Sequence, residues 1–199
     1  MEGERQPIAG ARRRSQEATR NSLLEAAAGL FAAQGSDGTR TADIARQAGV
    51  AVGTVYLHFK DKDTLLKEVL KLALGRLKQE LLKFPPSSPT PVRDKMVALV
   101  SFTEHFPDLA RVLFHGGNLA TTPGREALDF LTVSQERGLT DGVSKGYYRG
   151  DLNSALAARA MVGSMVQVLG WWAHQPEVAT REEVIEALTV LRLEGLGFR

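Results

Sequence analysis

Apolar side chains return every three or four positions almost from end to end of this 199-residue chain, and no stretch sustains a two-residue alternation. That period belongs to helices rather than strands. Residues 16–34 carry Leu23, Ala27, Leu30 and Phe31 on one stripe, which Gly35 stops. Two short helices are expected over 41–48 and 52–58. Asp61 is placed to cap a fourth that runs to about Lys83, with Leu65, Leu66, Val69, Leu72 and Leu77 among its apolar positions. The segment FPPSSPTP at 84–91 then breaks the pattern, because four prolines in eight residues cannot continue a helix. Beyond it, helices are predicted over 92–105, 107–115, 123–145, 152–174 and 181–195. Pro107, Pro123 and Pro176 fall at or beside their ends, and glycine-rich breaks lie at 116–117 and 146–150. The chain is therefore predicted to be all-α.

Within this pattern, TADIARQAGVAVGTVYLHFK at 41–60 is the most informative stretch. Ala45 sits mid-way along a short helix, where a small side chain lets a second helix cross closely. Gly49 supplies the positive φ that a sharp turn after that helix requires. Val55 falls beside Ile44 and Val50, where it can fill the wedge between the two helices. A helix-turn-helix of this kind projects its second helix into the major groove of DNA.

Composition narrows the reading. With no cysteine, the chain has no disulfide, thiolate metal site or cysteine nucleophile. No apolar run reaches the roughly 18 residues of a membrane span. The basic N-terminus has no apolar segment behind it, so a cytoplasmic protein is expected. Residues 1–83 hold 14 Lys/Arg against 10 Asp/Glu, whereas residues 84–199 hold 11 against 13. A basic front part on a slightly acidic remainder suits a nucleic-acid reader joined to something else. An enzyme is not expected, since Walker and H-E-x-x-H signatures are missing and GVSKG at 142–146, with no strand before it, is not a G-x-S-x-G elbow. No cofactor is expected, and His105, His115 and His174 lack metal-site spacing.

Residues 20–66 resemble the N-terminal domain of the TetR family of bacterial transcriptional regulators. The likeness is carried by AAGLFAAQG at 27–35, TADIA at 41–45, AGV at 48–50 and GTVYLHFKDK at 53–62. It implies a three-helix DNA-binding domain joined by a long helix to a larger C-terminal helical domain. A flexible basic arm at 1–15, a DNA-binding domain at 16–62, a connecting helix at 63–83 and an effector-binding and dimerisation domain at 84–199 are expected accordingly. The resemblance further implies a homodimeric repressor on a double-stranded operator, released by a small effector. The alternative is a dimeric regulator that needs no effector.

Several residues are candidates to touch DNA. Thr41 can cap the first helix of the motif, where free amides can also grip a phosphate, and Arg40 precedes it. Gly53 permits close approach of backbone to DNA, and Thr54 can donate to phosphate or meet a thymine methyl. The resemblance assigns Tyr56, His58 and Lys62 to phosphate contacts. Ala51 and Val52 stand where family members commonly carry polar residues, so this helix begins with side chains that meet thymine methyls but cannot hydrogen-bond bases. Arg12–Arg14 is either an arm that reaches the DNA or a solvated tail. A two-fold dimer implies half-sites about one helical turn apart.

In the C-terminal part, Ala155, Ala157, Ala158, Ala160, Gly163, Ser164 and Gly170 permit close helix approach, and the last two helices are expected to form the homodimer interface. Phe102, Phe106, Leu109, Leu113, Phe114, Leu128, Phe130, Leu131, Met165 and Trp171 are candidates to line an apolar effector cavity. Arg111, His115, Asn118 and Arg125 are candidates for its polar anchor.

Overall fold

The computed structural model describes residues 6–85 and 87–196, and every regular element among them is helical. Helix α1 (Gln6–Gly38) buries Leu23, Ala27 and Phe31 completely. Its regular course ends at Gly35, whose φ of 71° a residue with a side chain rarely adopts. Arg12–Arg14, expected in a flexible arm, are instead exposed helical residues of α1. Nothing between them and Gly35 interrupts the helix, and Arg13 pairs with Glu17 one turn on. Residues 1–5 of the expected arm lie outside the described residues.

Helices α2 (Thr41–Gln47) and α3 (Val52–His58) pack beside α1 through Ile44, Ala45, Val55 and Phe59, all at most 2% exposed. Helix α4 (Lys62–Leu81) follows, and Asp61 caps it by accepting from the Thr64 amide at 2.7 Å. The proline-rich segment ends α4, and α5 (Pro91–His105), α6 (Pro107–Phe114) and α8 (Thr122–Ser144) begin with proline in the first turn, where its missing N–H is harmless. Helices α9 (Ser154–His174) and α10 (Arg181–Leu196) complete the C-terminal part. The 3₁₀ turn Pro176–Val178 joins them.

One short helix was not legible from periodicity. Gly116–Leu119 (α7) contains the glycine pair that reads as a break. It forms because the His115 ring accepts from the Gly117 amide at 3.1 Å and caps it. The apolar core runs without interruption from Leu23 and Phe31 through Leu66 and Phe102 to Leu188, so α1 and α4 belong to both parts of the molecule.

Glu80 ties α4 to α5. Although it is only 5% exposed, it accepts from Lys83 Nζ at 2.6 Å and faces His105 Nδ1 at 3.3 Å. The Lys83 hydrogen bond above all, then that of His105, holds its carboxyl below the ordinary glutamate range against the opposing effect of burial. The folded state therefore binds fewer protons than the unfolded chain, and Glu80 contributes stability above pH 4.5 that is lost as pH falls through its folded value. Glu80→Gln is expected to lower stability at neutral pH by about 1 kcal/mol. In thermal melts that penalty should shrink as the pH is taken below 4.5.

Candidate nucleic-acid interface and the cavities behind it

The turn between α2 and α3 is built on Gly49, at φ 70°. Its amide bonds the Arg46 carbonyl at 3.2 Å, and the Val50 amide bonds the Ala45 carbonyl at 3.0 Å. This pair of crossed bonds closes the end of a helix on a left-handed residue. Val50 folds back onto the core beside Ile44. Val55 fills the wedge, leaving the opposite side of α3 outward.

That outward side carries Ala51, Val52, Gly53 and Tyr56, all exposed, with Thr54 and His58 half-buried at its edges. Arg40 is exposed at the start of α2. Thr41 departs from expectation: Arg40 occupies the capping position, Thr41 is the first helical residue, and no side chain caps α2. The Thr41 hydroxyl thus has no capping duty. Lys62 differs too, because its ammonium donates to the carbonyls of Ser36 at 2.5 Å and Thr39 at 3.3 Å. It thereby closes the end of α1, where cations are favoured. Arg46 lies against Asp43 on α2 at 2.6 Å. One residue of this face went unremarked in the sequence: Leu57, 85% exposed. With Val52 and Tyr56 also exposed on α3, Leu57 belongs to an apolar patch that none of the described residues covers, the sign of a contact surface.

Two cavities lie in the C-terminal part. The smaller, about 250 Å³, is enclosed by α4, α5, α8, α9 and α10, with Leu77, Leu99, Leu131, Met165 and Leu188 among its walls. The larger, about 640 Å³, opens between α4 and α8 along Leu70, Leu74, Ala127 and Phe130. The two share Leu77, Leu81, Leu131 and Ser134.

A family model described as bacterial regulatory proteins, tetR family, matches residues 23–69, which contain all of α2, the turn and α3. The transcriptional repressor KstR2 of Mycolicibacterium smegmatis is 31% identical over 149 residues, covering 70% of this chain and 72% of its own. The chain belongs to the TetR family. The fatty acid degradation regulator FadR of Bacillus halodurans superposes with a TM-score of 0.75 at 20% identity, covering 91% of this chain and 97% of its own. FadR of Bacillus subtilis, solved in complex with stearoyl-CoA, gives 0.68 at 22% identity over 88% and 98%. At such identities these two demonstrate a shared fold, that of an N-terminal helix-turn-helix domain and a helical C-terminal domain.

In this TetR-family chain, the expected cavity lining is largely corrected. Met165 lines the smaller cavity, Phe130 the larger, and Leu131 both. Phe102, Phe106 and Phe114 instead pack on one another in the core, with ring centroids 6.0 and 6.2 Å from Phe102. Leu109 and Leu113 are likewise core. Trp171 faces outward from α9, 44% exposed. The expected polar anchors serve the backbone. Arg111 Nε donates to the Ala173 carbonyl at 2.8 Å, His115 caps α7, and Arg125 bonds the Ala120 carbonyl and Thr122. Asn118, fully buried, joins α1 to α6. The small residues of α9 also divide. Ala157 and Ala158 are buried against Leu139, and a side chain on Gly170 would meet the Phe114 carbonyl at 2.7 Å. Leu156, Ala160, Gly163, Gln167 and Trp171 form the exposed stripe.

Among the polar residues that line the smaller cavity, Lys95, Gln135, Tyr148 and Arg192 were not read as site residues. A signal existed. Lys95 lies on the stripe of Leu99 and Phe102, and Arg192 on that of Ile185 and Leu188, each a cation on an apolar face.

Proposed function

We propose that the chain is a homodimeric transcriptional repressor that binds a palindromic operator and releases it when a small, largely apolar effector occupies the C-terminal cavities. The observation that carries this reading is the outward face of α3. Its turn and wedge residues are committed to packing, while Val52, Gly53, Tyr56 and Leu57 stay exposed. Thr54, Tyr56, His58 and Arg40 are positioned to grip phosphate, which sets orientation on the duplex. Ala51, Val52 and Leu57 offer apolar contacts to thymine methyls, so sequence preference rests on these and on DNA shape. Lys62 acts chiefly by holding the end of α1, and reaches phosphate only at the edge of the interface.

The exposed stripe on α9 and Leu191 and Leu193 on α10 form the dimer face, large side chains flanking small ones. Repression is supported by KstR2, described as a repressor, and an apolar effector by the stearoyl-CoA complex of Bacillus subtilis FadR. Selection of bound sequences from random DNA, followed by footprinting, tests the reading. Two symmetric half-sites about one turn apart are expected. Affinity should fall about a thousandfold between roughly 50 and 200 mM salt as counterion release is lost. Protection of one asymmetric half-site, or salt-insensitive binding, would overturn it.

A further inference from the structure

The smaller cavity is apolar over most of its wall, yet two cations from different helices meet there, Lys95 of α5 and Arg192 of α10. Among the described residues, no carboxylate acts on either of them. Lys95 remains accessible, but the protein around its ammonium pushes its pKa below the ordinary lysine value, and the like charge of Arg192 pushes the same way. Arg192 is half-buried, and its burial disfavours the charged form more than the neighbouring Tyr148 hydroxyl favours it. With the Gln135 amide turned to satisfy its neighbours, its oxygen accepts from both terminal nitrogens of Arg192 at 2.9 and 3.2 Å. Arg192 Nε is buried and has no hydrogen-bond partner. Two adjacent cations and an unmet donor beside an apolar wall are unfavourable in the empty protein. A bound anion would neutralise both cations.

The lysines around the larger cavity behave differently. Lys67 pairs with Glu126 at 2.6 Å and Lys71 with Glu68 at 2.7 Å, while the third, Lys78, is exposed on the last turn of α4. The wall shared by the two cavities, Leu77, Leu81 and Leu131, continues the apolar lining away from Lys95 and Arg192. We infer that the smaller cavity binds an amphiphile with a compact anionic head, the head held by Lys95 and Arg192 and the tail running along α4 and α8 into the larger cavity. The inference rests on the C-terminal domain being effector-binding, and names the chemical class of that effector. A carboxylate and a phosphate monoester share this chemistry. A coenzyme A head exceeds a cavity of about 250 Å³ and would have to stay outside it.

The test is calorimetric titration of the full chain with dodecanoate, dodecyl phosphate, dodecanol and dodecanoyl-CoA. At least one of the two compact anions should bind at least about tenfold tighter than dodecanol, about 1.4 kcal/mol. Whichever binds more tightly identifies the source of the head. Lys95→Met and Arg192→Leu should each remove most of that preference while leaving dodecanol affinity within about twofold. The melting temperature of ligand-free Lys95→Met should equal or exceed that of the wild type, because it removes a repulsion. Equal binding of dodecanol and both anions would overturn the inference, as would binding of the thioester alone. Loss of all ligands together in both variants would also overturn it, as would a destabilised ligand-free Lys95→Met. An operator-release assay separates the two readings. Anion binding through Lys95 and Arg192 with no effect on DNA would defeat effector release and leave the site standing. Release by dodecanol as readily as by the anions would do the reverse.

Discussion

A Leu57→Glu protein is expected to fold as the wild type does and to lose operator binding by at least about a hundredfold. Leu57 is 85% exposed and adds almost nothing to the core, so the change should move the melting temperature very little. On the outward face of α3, however, the substitution places a carboxylate among DNA phosphates and removes an apolar contact. Each effect is worth about 1–3 kcal/mol at a base-reading position, and a two-fold dimer feels it twice. Fluorescence anisotropy with labelled operator, alongside a thermal melt, checks both halves. Binding retained within tenfold would show that α3 does not face DNA. The neighbouring Val55 makes a useful contrast. It is 2% exposed, and Val55→Glu should lose DNA binding only because the domain unfolds.

Asn118→Leu is expected to cost about 3 kcal/mol, and so to lower the melting temperature by about 10 °C in a chain of this size. Asn118 is 0% exposed, and its two amide atoms join different parts of the molecule. Its oxygen accepts from the Ser36 amide at 2.9 Å, and its nitrogen donates to the Val112 carbonyl at 3.3 Å. The carbonyl of Ser36 in turn accepts from Lys62. Leucine has a similar volume but can satisfy neither backbone group, and both would be left buried without that partner. The penalty comes from desolvation rather than from an empty space, so Asn118→Ala, which admits water, should be milder. A fall of less than about 3 °C for Asn118→Leu would mean that Ser36 and Val112 find other partners.

The helix-turn-helix was legible because its constraints are local. Gly49 must adopt a positive φ, Ala45 must be small, Val55 must be apolar, and Asp61 must cap, whatever the rest of the chain does. The helix pattern was legible for the same reason, apart from the ends of α1 and the short α7. There a glycine pair resembles a break unless the capping ring of His115 is known. The candidate cavity was legible mainly in its location. Aromatic residues on helical stripes suggested Phe102, Phe106 and Phe114, but a stripe does not state which neighbour it faces. These rings proved to face one another. Lys95 and Arg192 carried a signal, since each interrupts an apolar stripe, but either one alone resembles an ordinary surface cation.

By itself, then, the sequence determined an all-α chain, its break at the proline-rich segment, and a DNA-binding motif with its turn, wedge and cap in place. Each of these depends on residues within a few positions of one another. Only the tertiary structure decided that Lys62 closes α1, that Gly170 makes room for the Phe114 carbonyl, and that Lys95 and Arg192 share one apolar cavity. Those facts depend on how helices far apart in the chain cross, which the apolar period of each helix constrains only to a face and not to a partner.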